Sequence, residues 1–391
     1  MRNNYFSVPI IVALFTLVGC EEATRDISIA DPTESEVMLN GLSSVEEQAY
    51  KEGRDLFFRT FTVEDGLGPF FAEASCGKCH EGAGRGPGKV LRIGRTVNGR
   101  FDPMIEFGGP TIQFRSAIKG IPGESVPPEA QFVDFRVAPA VFGRGLVEAI
   151  PEETILSNAD PYDADADGIS GRANYISMNF VGAPTHPELG RHGLKAQLSR
   201  LMDFADNAFL HDLGMTSPMR PSELINPAAP NIKDGKKGND ITQSTLEKVD
   251  LFIRLSDFPP MLPDTPDIIA GRNLFATVGC VKCHVPSMTT GPHPVAALSN
   301  KSVSFYSDFL IHDMGPTLSD GVLDGDAQPQ EWKTPVLRGM RFFREFLHDG
   351  RATTLHDAIV MHGGEATAIR DAYLNLSSAD RDKIVQFVRA L

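Results

Sequence analysis

The five-residue pattern Cys-x-x-Cys-His occurs twice in this chain, as CGKCH at residues 76–80 and as CVKCH at residues 280–284. The two copies use four of the five cysteines in the sequence. This pattern is the attachment signature of c-type haem, in which two thiols bond the porphyrin vinyl groups and the histidine becomes the proximal iron ligand. The predicted attachment residues are Cys76, Cys79 and His80 for one haem and Cys280, Cys283 and His284 for the other.

Paired cysteines also occur in zinc sites, in redox dithiols and in disulfides. A zinc site would join the two pairs as four thiolate ligands, and stable disulfides would require export. Neither alternative explains why a histidine follows each pair at the same spacing. A thioredoxin-like dithiol would stand in a βαβ context, and none is visible around either pattern. The sequence therefore predicts two covalent haems.

The N-terminus has the pattern of an export signal. Arg2 is followed by an uncharged apolar run over residues 8–18, which is short for a bilayer span. The run ends beside Cys20 and resembles the lipobox of bacterial lipoproteins, in which the cysteine becomes the lipidated first residue. The alternative is an ordinary signal peptide that ends near a cysteine. We predict a signal peptide at residues 1–19, lipidation at Cys20, a polar tether at residues 20–43 and a periplasm-facing location in the bacterial cell envelope.

The charge of the chain limits the partners that it would attract. Its 391 residues are 41% hydrophobic, enough for a full core and for two domains. The formal net charge is −14. A nucleic-acid ligand is not expected, because binding a phosphate backbone requires a basic surface. A small, positively charged redox protein, such as a cytochrome or a cupredoxin, would be steered towards the chain.

The chain contains two unequal repeats. The phrase EGRDLF at residues 52–57 precedes the first haem pattern, and AGRNLF at residues 270–275 precedes the second. Each repeat ends in an amphipathic helical pattern, at residues 244–255 and 379–391. An opening helix, a haem pattern and a closing helix are typical of class I cytochrome c domains.

The repeats define the predicted fold class, which is mainly α with loop-rich insertions and two cytochrome c-like domains. A proline-rich segment at residues 256–267 separates the repeats. We predict an N-terminal haem domain at residues 44–262 and a C-terminal haem domain at residues 263–391. The first domain is the larger because of an insertion at about residues 82–240, which is rich in glycine and proline.

Four further segments carry a family resemblance, at residues 136–155, 163–175, 305–316 and 331–366. On these segments the chain resembles the bacterial di-haem c-type oxidoreductases often labelled thiol oxidoreductases, distant relatives of the di-haem cytochrome c peroxidases. The resemblance implies an enzyme that passes electrons from a C-terminal low-spin haem to an N-terminal haem, where an oxidant such as hydrogen peroxide is reduced. The thiol label has no support from the residues, because no cysteine remains free after lipidation and haem attachment.

The resemblance also implies the second ligand of the C-terminal haem. In di-haem peroxidases, a His-Asp-Gly segment and a following Thr-Leu lead to the methionine that ligates this haem. Aligned on residues 348–350 of this chain, the ligand position falls on His362, next to Met361. The implied iron has two histidine ligands, His284 and His362, and is low-spin with a lower potential than a His/Met iron. The alternative ligand is Met361.

No equivalent ligand follows the first haem pattern. The resemblance implies that the iron above His80 has an open face and that a distal carboxylate acts there as acid and base. Glu148 is the candidate for this catalytic role. His186, His192 and His211 are alternatives for a sixth ligand, and any of them would make the first haem a second electron carrier.

The aspartates in DADADG match the first half of an EF-hand calcium loop, with Asp163, Asp165 and Asp167 at alternate positions. The twelfth position holds Asn174 and not the usual glutamate, so an acidic turn without a metal is the alternative. Since the di-haem peroxidases hold a calcium ion between their domains, we predict calcium at these three aspartates.

Trp332, the only tryptophan, is either an electron relay between the haems or a packed core residue. Two rival functions also remain. One is a non-catalytic electron-transfer lipoprotein linked to metal reduction or uptake, with both irons six-coordinate. The other is an enzyme that oxidises a partner protein or a polymer at the surface of the insertion.

Overall fold

The computed structural model describes residues 29–224, 226, 230–231 and 237–391. The predicted signal peptide and Cys20 lie outside the described residues. Over those ranges, no helix combines the length and the apolar character that crossing a membrane would require.

Helices and long loops surround both haem patterns, as the predicted fold class requires. The helices are α1 (Ser44–Phe58), α2 (Cys76–Cys79), α3 (Arg144–Glu148), α4 (Glu152–Leu156), α5 (Leu201–Leu213), α6 (Gln243–Leu255), α7 (Pro266–Thr277), α8 (Leu355–Val360), α9 (Thr367–Leu374) and α10 (Ser378–Ala390). The strands are β1 (Val37–Met38), β2 (Phe70–Phe71), β3 (Lys89–Val97), β4 (Arg100–Asp102), β5 (Thr111–Ile112), β6 (Arg115–Ser116), β7 (Phe132–Val137), β8 (Tyr175–Ile176), β9 (Glu188–Leu189), β10 (Ser256–Asp257), β11 (Met288–Thr289), β12 (Ser302–Val303), β13 (Ile311–Asp313) and β14 (Glu331–Lys333).

The same helix crossing is built once in each repeat. Helix α1 packs on α6, and α7 packs on α10. The repeated glycine explains how each pair approaches so closely, because a Cβ atom on Gly53 would lie 1.9 Å from the carbonyl oxygen of Lys248. A Cβ atom on Gly271 would lie 1.9 Å from the carbonyl oxygen of Lys383. A larger residue at either glycine would separate the helices.

One contiguous hydrophobic core runs through both repeats. The rings of Phe142 and Phe343, from the first and second repeats, stack with centroids 6.3 Å apart. Phe258, between the repeats, meets Phe305 edge-on at 5.9 Å. This shared core fixes the position of one haem pattern relative to the other.

The large insertion contains an antiparallel sheet that the sequence analysis did not predict. Strand β3 pairs with β4, β5 and β7, and Leu91 and Ile93 on β3 are buried in a small core of their own. Alternation over such a short segment is a weak signal among many glycines and prolines. The longest pairing, between β3 and β7, brings Arg92 and Arg136 to the wall of the first haem cavity.

Part of the predicted tether is folded structure. Ser35 is fully buried, and its hydroxyl donates to the carbonyl of Gly82. Strand β1 pairs with β10, with Val37 opposite Asp257. The backbone N–H of Ala30 donates to a carbonyl in the second repeat at 3.0 Å. The tether prediction is therefore wrong for residues 29–43, whose backbone and small side chains make ordered contacts that polar composition did not reveal.

Candidate haem sites

Each Cys-x-x-Cys-His pattern opens onto its own cavity. In both patterns the backbone N–H of the histidine donates to the carbonyl of the first cysteine at 2.9 Å, so one tight turn carries the whole set. The first cavity is lined by Cys76, Cys79 and His80, and the second by Cys280, Cys283 and His284. The structure thus brings each predicted attachment set together at a cavity wall.

The second cavity contains two imidazoles that are suited to bind one iron. The Nδ1 atom of His284 lies 2.9 Å from the carbonyl of Tyr306, and the Nδ1 atom of His362 lies 2.7 Å from the carbonyl of Ala358. This arrangement is usual for ligating histidines, since it fixes the ring and leaves Nε2 free. Burial lowers the pKa of His284 to about 4 and also lowers that of His362, so both rings are neutral and able to coordinate.

The structure favours His362 over Met361 as the second ligand. His362 lines the cavity, whereas Met361 does not and packs against the core. Helix α8 begins at Thr354, whose hydroxyl accepts from the backbone N–H of Asp357, and it ends just before this pair. The helix length therefore decides which of the two side chains reaches the cavity.

Another histidine that lines this cavity, His312, was missed in the sequence analysis. His312 lies between Asp308 and Glu365, with ring nitrogens 2.8 and 3.0 Å from their carboxylates. Burial opposes its charge, but hydrogen bonds to Asp308, Cys283 and Glu365 raise its pKa well above the ordinary value. His312 is therefore a buried imidazolium, 3.8 Å from the Sγ atom of Cys283. Its position in the segment 305–316 was the available signal.

The first cavity holds a carboxylate without a partner. Of the three carboxylates that line it in the described structure, Glu73 pairs with Arg115 and Asp324 with Arg136. The third, Asp212, makes no side-chain hydrogen bond or ion pair with a described residue. Burial raises the pKa of the Asp212 carboxyl to about 7, against the opposing charge of Arg92. Such a group can exchange a proton near neutral pH.

The structure separates the three histidines proposed for the first iron. His211, next to Asp212 at the end of α5, lines the first cavity, and burial lowers its pKa to about 4. His186 is exposed and lines neither cavity. His192 is fully buried but also lies outside both cavities. Only His211 of the three therefore remains a candidate ligand.

Glu148 does not line the first cavity, so the structure does not support the acid/base role that was predicted for it. Its carboxylate accepts from the backbone N–H of Leu201 at 2.8 Å and from Arg254 at 3.0 Å. Glu148 therefore caps the start of α5 and forms an ion pair across to α6. The sequence around Glu148 parallels a segment of the second repeat. That parallel gives no information about Arg254, the residue with which Glu148 pairs in the fold.

A thin partition separates the two cavities. Pro139 and Leu194 line both of them. The residues next to Pro139 line different cavities: Ala138 and Val141 line the first, and Ala140 and Phe142 line the second. The partition is therefore one residue thick at Pro139 and Leu194, which is a short path for electrons.

Trp332 lies at this partition. It lines the second cavity, is 8% exposed, and donates its indole N–H to the carbonyl of Leu318 at 2.8 Å. Arg136, which lines the first cavity, lies 5.5 Å from the indole centroid, and Lys195 lies 4.4 Å from it. The imidazole of His348 stacks on the indole at 3.9 Å. Trp332 is a packed core residue, and its packing also connects the two cavity walls.

The acidic loop does not form the predicted calcium geometry. Carboxylate oxygens of Asp160, Asp163 and Asp165 lie within 4.8 Å of one another. Asp167, in contrast, pairs with Lys282 at 3.1 Å in the second haem pattern. The Asn174 amide is buried and donates to backbone carbonyls. Both Asp167 and Asn174 are therefore outside the cluster, which contains two of the three predicted calcium ligands, Asp163 and Asp165, together with Asp160; calcium binding stays a prediction.

The two cavities, each with its cysteine pair and histidine, define a redox protein built around two haems. A family model described as "Di-haem oxidoreductase, putative peroxidase" matches residues 128–242 and 263–391, and the chain belongs to this family. Membership makes the chain an oxidoreductase and implies two haem cofactors.

Several solved structures are similar to the chain at low identity. A hydrazine synthase from Kuenenia stuttgartiensis is 16% identical, with 100% of each chain covered and a TM-score of 0.43. A MauG-like protein associated with microbial copper homeostasis is 14% identical, with 93% of each chain covered and a TM-score of 0.42. A variant of the di-haem peroxidase BthA from Burkholderia thailandensis is 16% identical, with 93% of this chain and 88% of that chain covered and a TM-score of 0.41. No curated protein matches the chain.

Proposed function

We propose that this chain is an exported di-haem c-type peroxidase. Electrons enter at a C-terminal haem held by His284 and His362, cross the partition, and reduce hydrogen peroxide at an N-terminal haem held by His80. The observation that carries this proposal is the difference between the cavities. The second offers two imidazoles that are fixed for one iron, whereas the first is also lined by a carboxylate, Asp212, that forms no ion pair with a described residue.

Covalent attachment of both haems is part of the proposal. Neither cysteine pair forms a disulfide. Burial raises the pKa of Cys76, Cys79 and Cys280 to about 12, so these thiols are neutral and poor ligands for a metal such as zinc. Buried, neutral, unbonded thiols next to a histidine support thioether formation with porphyrin vinyl groups.

The haem supplies the site at which peroxide binds and accepts electrons. Reduction of one hydrogen peroxide to two water molecules consumes two electrons and two protons. The residues of this chain would handle the protons: the Asp212 carboxyl, which lines the first cavity, would accept a proton there and return it. A pKa of about 7 suits a group that must both accept and donate.

Electrons cross at the partition, where Trp332 connects the two walls. Two buried cations, Lys195 and Arg136, lie against its ring. Both cations are paired with aspartates, and the indole N–H faces a carbonyl, which cannot accept its proton as a base would. Trp332 therefore acts as a bridge for electron tunnelling and does not store an oxidising equivalent.

The electron donor and the location follow from charge and from the N-terminus. The net charge of −14 suits a small basic donor, either a cytochrome or a cupredoxin. The Asp167–Lys282 ion pair holds the acidic loop beside the second haem pattern, where such a donor would deliver electrons. We place the protein in the bacterial cell envelope, facing the periplasm and anchored through lipid on Cys20.

One observation favours a second candidate function, a non-catalytic electron carrier. The ring of His211 lines the first cavity and makes no hydrogen bond with a described residue. If its imidazole binds the first iron in every redox state, no face is left for peroxide. The spin state of the first haem separates the two functions.

Mixing the half-reduced holoprotein with hydrogen peroxide tests the proposed function. We expect the C-terminal haem to be oxidised at a rate proportional to peroxide concentration, followed by stopped-flow absorbance. The control is a Cys76→Ala/Cys79→Ala variant, which keeps the C-terminal haem and should lose the fast reaction. Equal oxidation rates in the two proteins would contradict reduction at the N-terminal haem.

A further inference from the structure

One buried and one half-buried cation line the second cavity without a carboxylate partner. Lys333, on β14, is 6% exposed, and its ammonium lies 3.4 Å from the carbonyl of Thr334 and 5.7 Å from the centroid of the Phe309 ring. Arg144, at the start of α3, uses only its Nε atom, which donates to the carbonyl of Ala140 at 2.7 Å. Neither forms an ion pair with any carboxylate of the described residues.

Two other buried cations of the described residues, Arg136 and Lys195, are paired with carboxylates. The guanidinium of Arg136 binds Asp320 and Asp324, and the ammonium of Lys195 lies 3.0 Å from Asp320. A buried charge without a partner is costly unless a ligand supplies the opposite charge. Arg144 and Lys333 have neither a carboxylate partner among the described residues nor, unlike Arg191, two backbone carbonyls that accept from the cation.

The two cations also repel each other. Burial lowers the pKa of Lys333 to about 7; the charge of Arg144 lowers it as well, and the carboxylate of Asp308 opposes this shift. Burial alone lowers the pKa of Arg144 to about 10. Three further arginines line the same cavity. Arg85 and Arg338 each place guanidinium nitrogens on two or more backbone carbonyls, and Arg370 pairs with Asp371.

We propose that Arg144 and Lys333 bind the two propionate carboxylates of the C-terminal haem. Haem carries two propionates on the edge of the porphyrin away from the two vinyl positions, so two anions would enter this cavity with the cofactor. Two cations whose donors are largely unused match them in number and in sign. This inference rests on the proposed function, because it presupposes haem in the second cavity.

The placement of Arg144 gives the inference a consequence for electron transfer. Arg144 directly follows the partition segment, residues 138–143, and its charge also acts on His80 of the first site. Propionates bound by Arg144 would therefore lie next to the partition between the two cavities.

The test removes each charge separately in the full-length holoprotein. We expect Arg144→Gln and Lys333→Met each to lower the midpoint potential of the C-terminal haem by ~59 mV. For one electron, this shift lowers the equilibrium constant for reduction by about tenfold. A nearby cation stabilises the reduced iron, which is the less positive form, so its loss favours the oxidised form. Potentiometric optical titration of the low-spin bands measures the change, and resonance Raman spectroscopy should show a shifted propionate bending band.

Charge-retaining variants serve as matched controls. In Arg144→Lys and Lys333→Arg, the equilibrium constant for reduction should stay within about threefold of the wild-type value, on the order of 0.5 log unit. The exposed Lys301→Met should change neither readout. If one neutral variant fails to fold, the other carries the test.

Three outcomes would overturn the inference. The first is an unchanged midpoint potential and Raman band in the neutral variants. The second is an equal fall in midpoint potential in the charge-retaining variants. The third is a fall in midpoint potential that disappears when phosphate is left out of the buffer, which would indicate that the two cations bind a free anion. None of these depends on the spin state of the first haem. Failure here is therefore distinguishable from failure of the proposed function.

Discussion

Asp212→Asn is expected to slow the reaction of the holoprotein with hydrogen peroxide by about 10²–10⁴-fold, the usual contribution of a general acid–base group. The amide keeps the shape of the carboxyl group but can neither take nor return a proton. In the wild type, the ionised carboxylate is the reactive form, and its pKa is about 7. The second-order rate constant should therefore rise about tenfold from pH 6 to pH 8, and this dependence should disappear in the variant.

The matched control for Asp212→Asn is Glu148→Gln. Both are conservative changes of a carboxylate in the first repeat, but Glu148 is committed to the start of α5 and to Arg254, outside the cavity. Stopped-flow measurements should give Glu148→Gln a rate constant within about twofold of the wild type. A slow Glu148→Gln variant together with a normal Asp212→Asn variant would show that the acid/base group is Glu148 and not Asp212.

His362→Gly is expected to convert the C-terminal haem from a low-spin to a high-spin state. Removal of the imidazole leaves His284 as the only protein ligand on that iron, and the cavity then admits water or an added ligand. Electronic absorption and electron paramagnetic resonance of the purified variant should both show the change. Added imidazole should restore the low-spin spectrum, because it fits the space that the side chain leaves.

Met361→Leu is the control for this change. Met361 precedes His362 in the chain but packs against the core and does not line the cavity. Its replacement should leave the spectrum unaltered. A normal low-spin spectrum in His362→Gly, or a high-spin spectrum in Met361→Leu, would assign the ligand to the methionine.

The parts of the structure that were predictable from sequence depend on short-range patterns. In each Cys-x-x-Cys-His pattern, a single turn of the chain places the two cysteines and the histidine together, so their arrangement is predictable from the sequence. The repeated glycine phrase places Gly53 and Gly271 at the two helix crossings, and helical periodicity indicates α6 and α10. The register of His362 also followed from a local segment, since α8 is only one and a half turns long.

The remaining features depend on contacts between distant residues. Glu148 and Asp212 are both acidic residues near the C-terminal ends of helices, α3 and α5. Only the folded chain shows that Glu148 pairs with Arg254 whereas Asp212 lines the first cavity. Asp167 fits a calcium loop in sequence, yet it pairs with Lys282, more than one hundred residues away. The folded segment at residues 29–43 has polar composition, and its order comes from strand pairing with Ser256–Asp257.

The central claim is that the two irons differ, one closed by two histidines and one open. Electron paramagnetic resonance of the half-reduced holoprotein, with and without hydrogen peroxide, tests this claim most directly. The account predicts a high-spin signal from the N-terminal haem that is lost when peroxide is added. Two low-spin haems in every redox state, unchanged by peroxide, would contradict it and would identify the chain as an electron carrier.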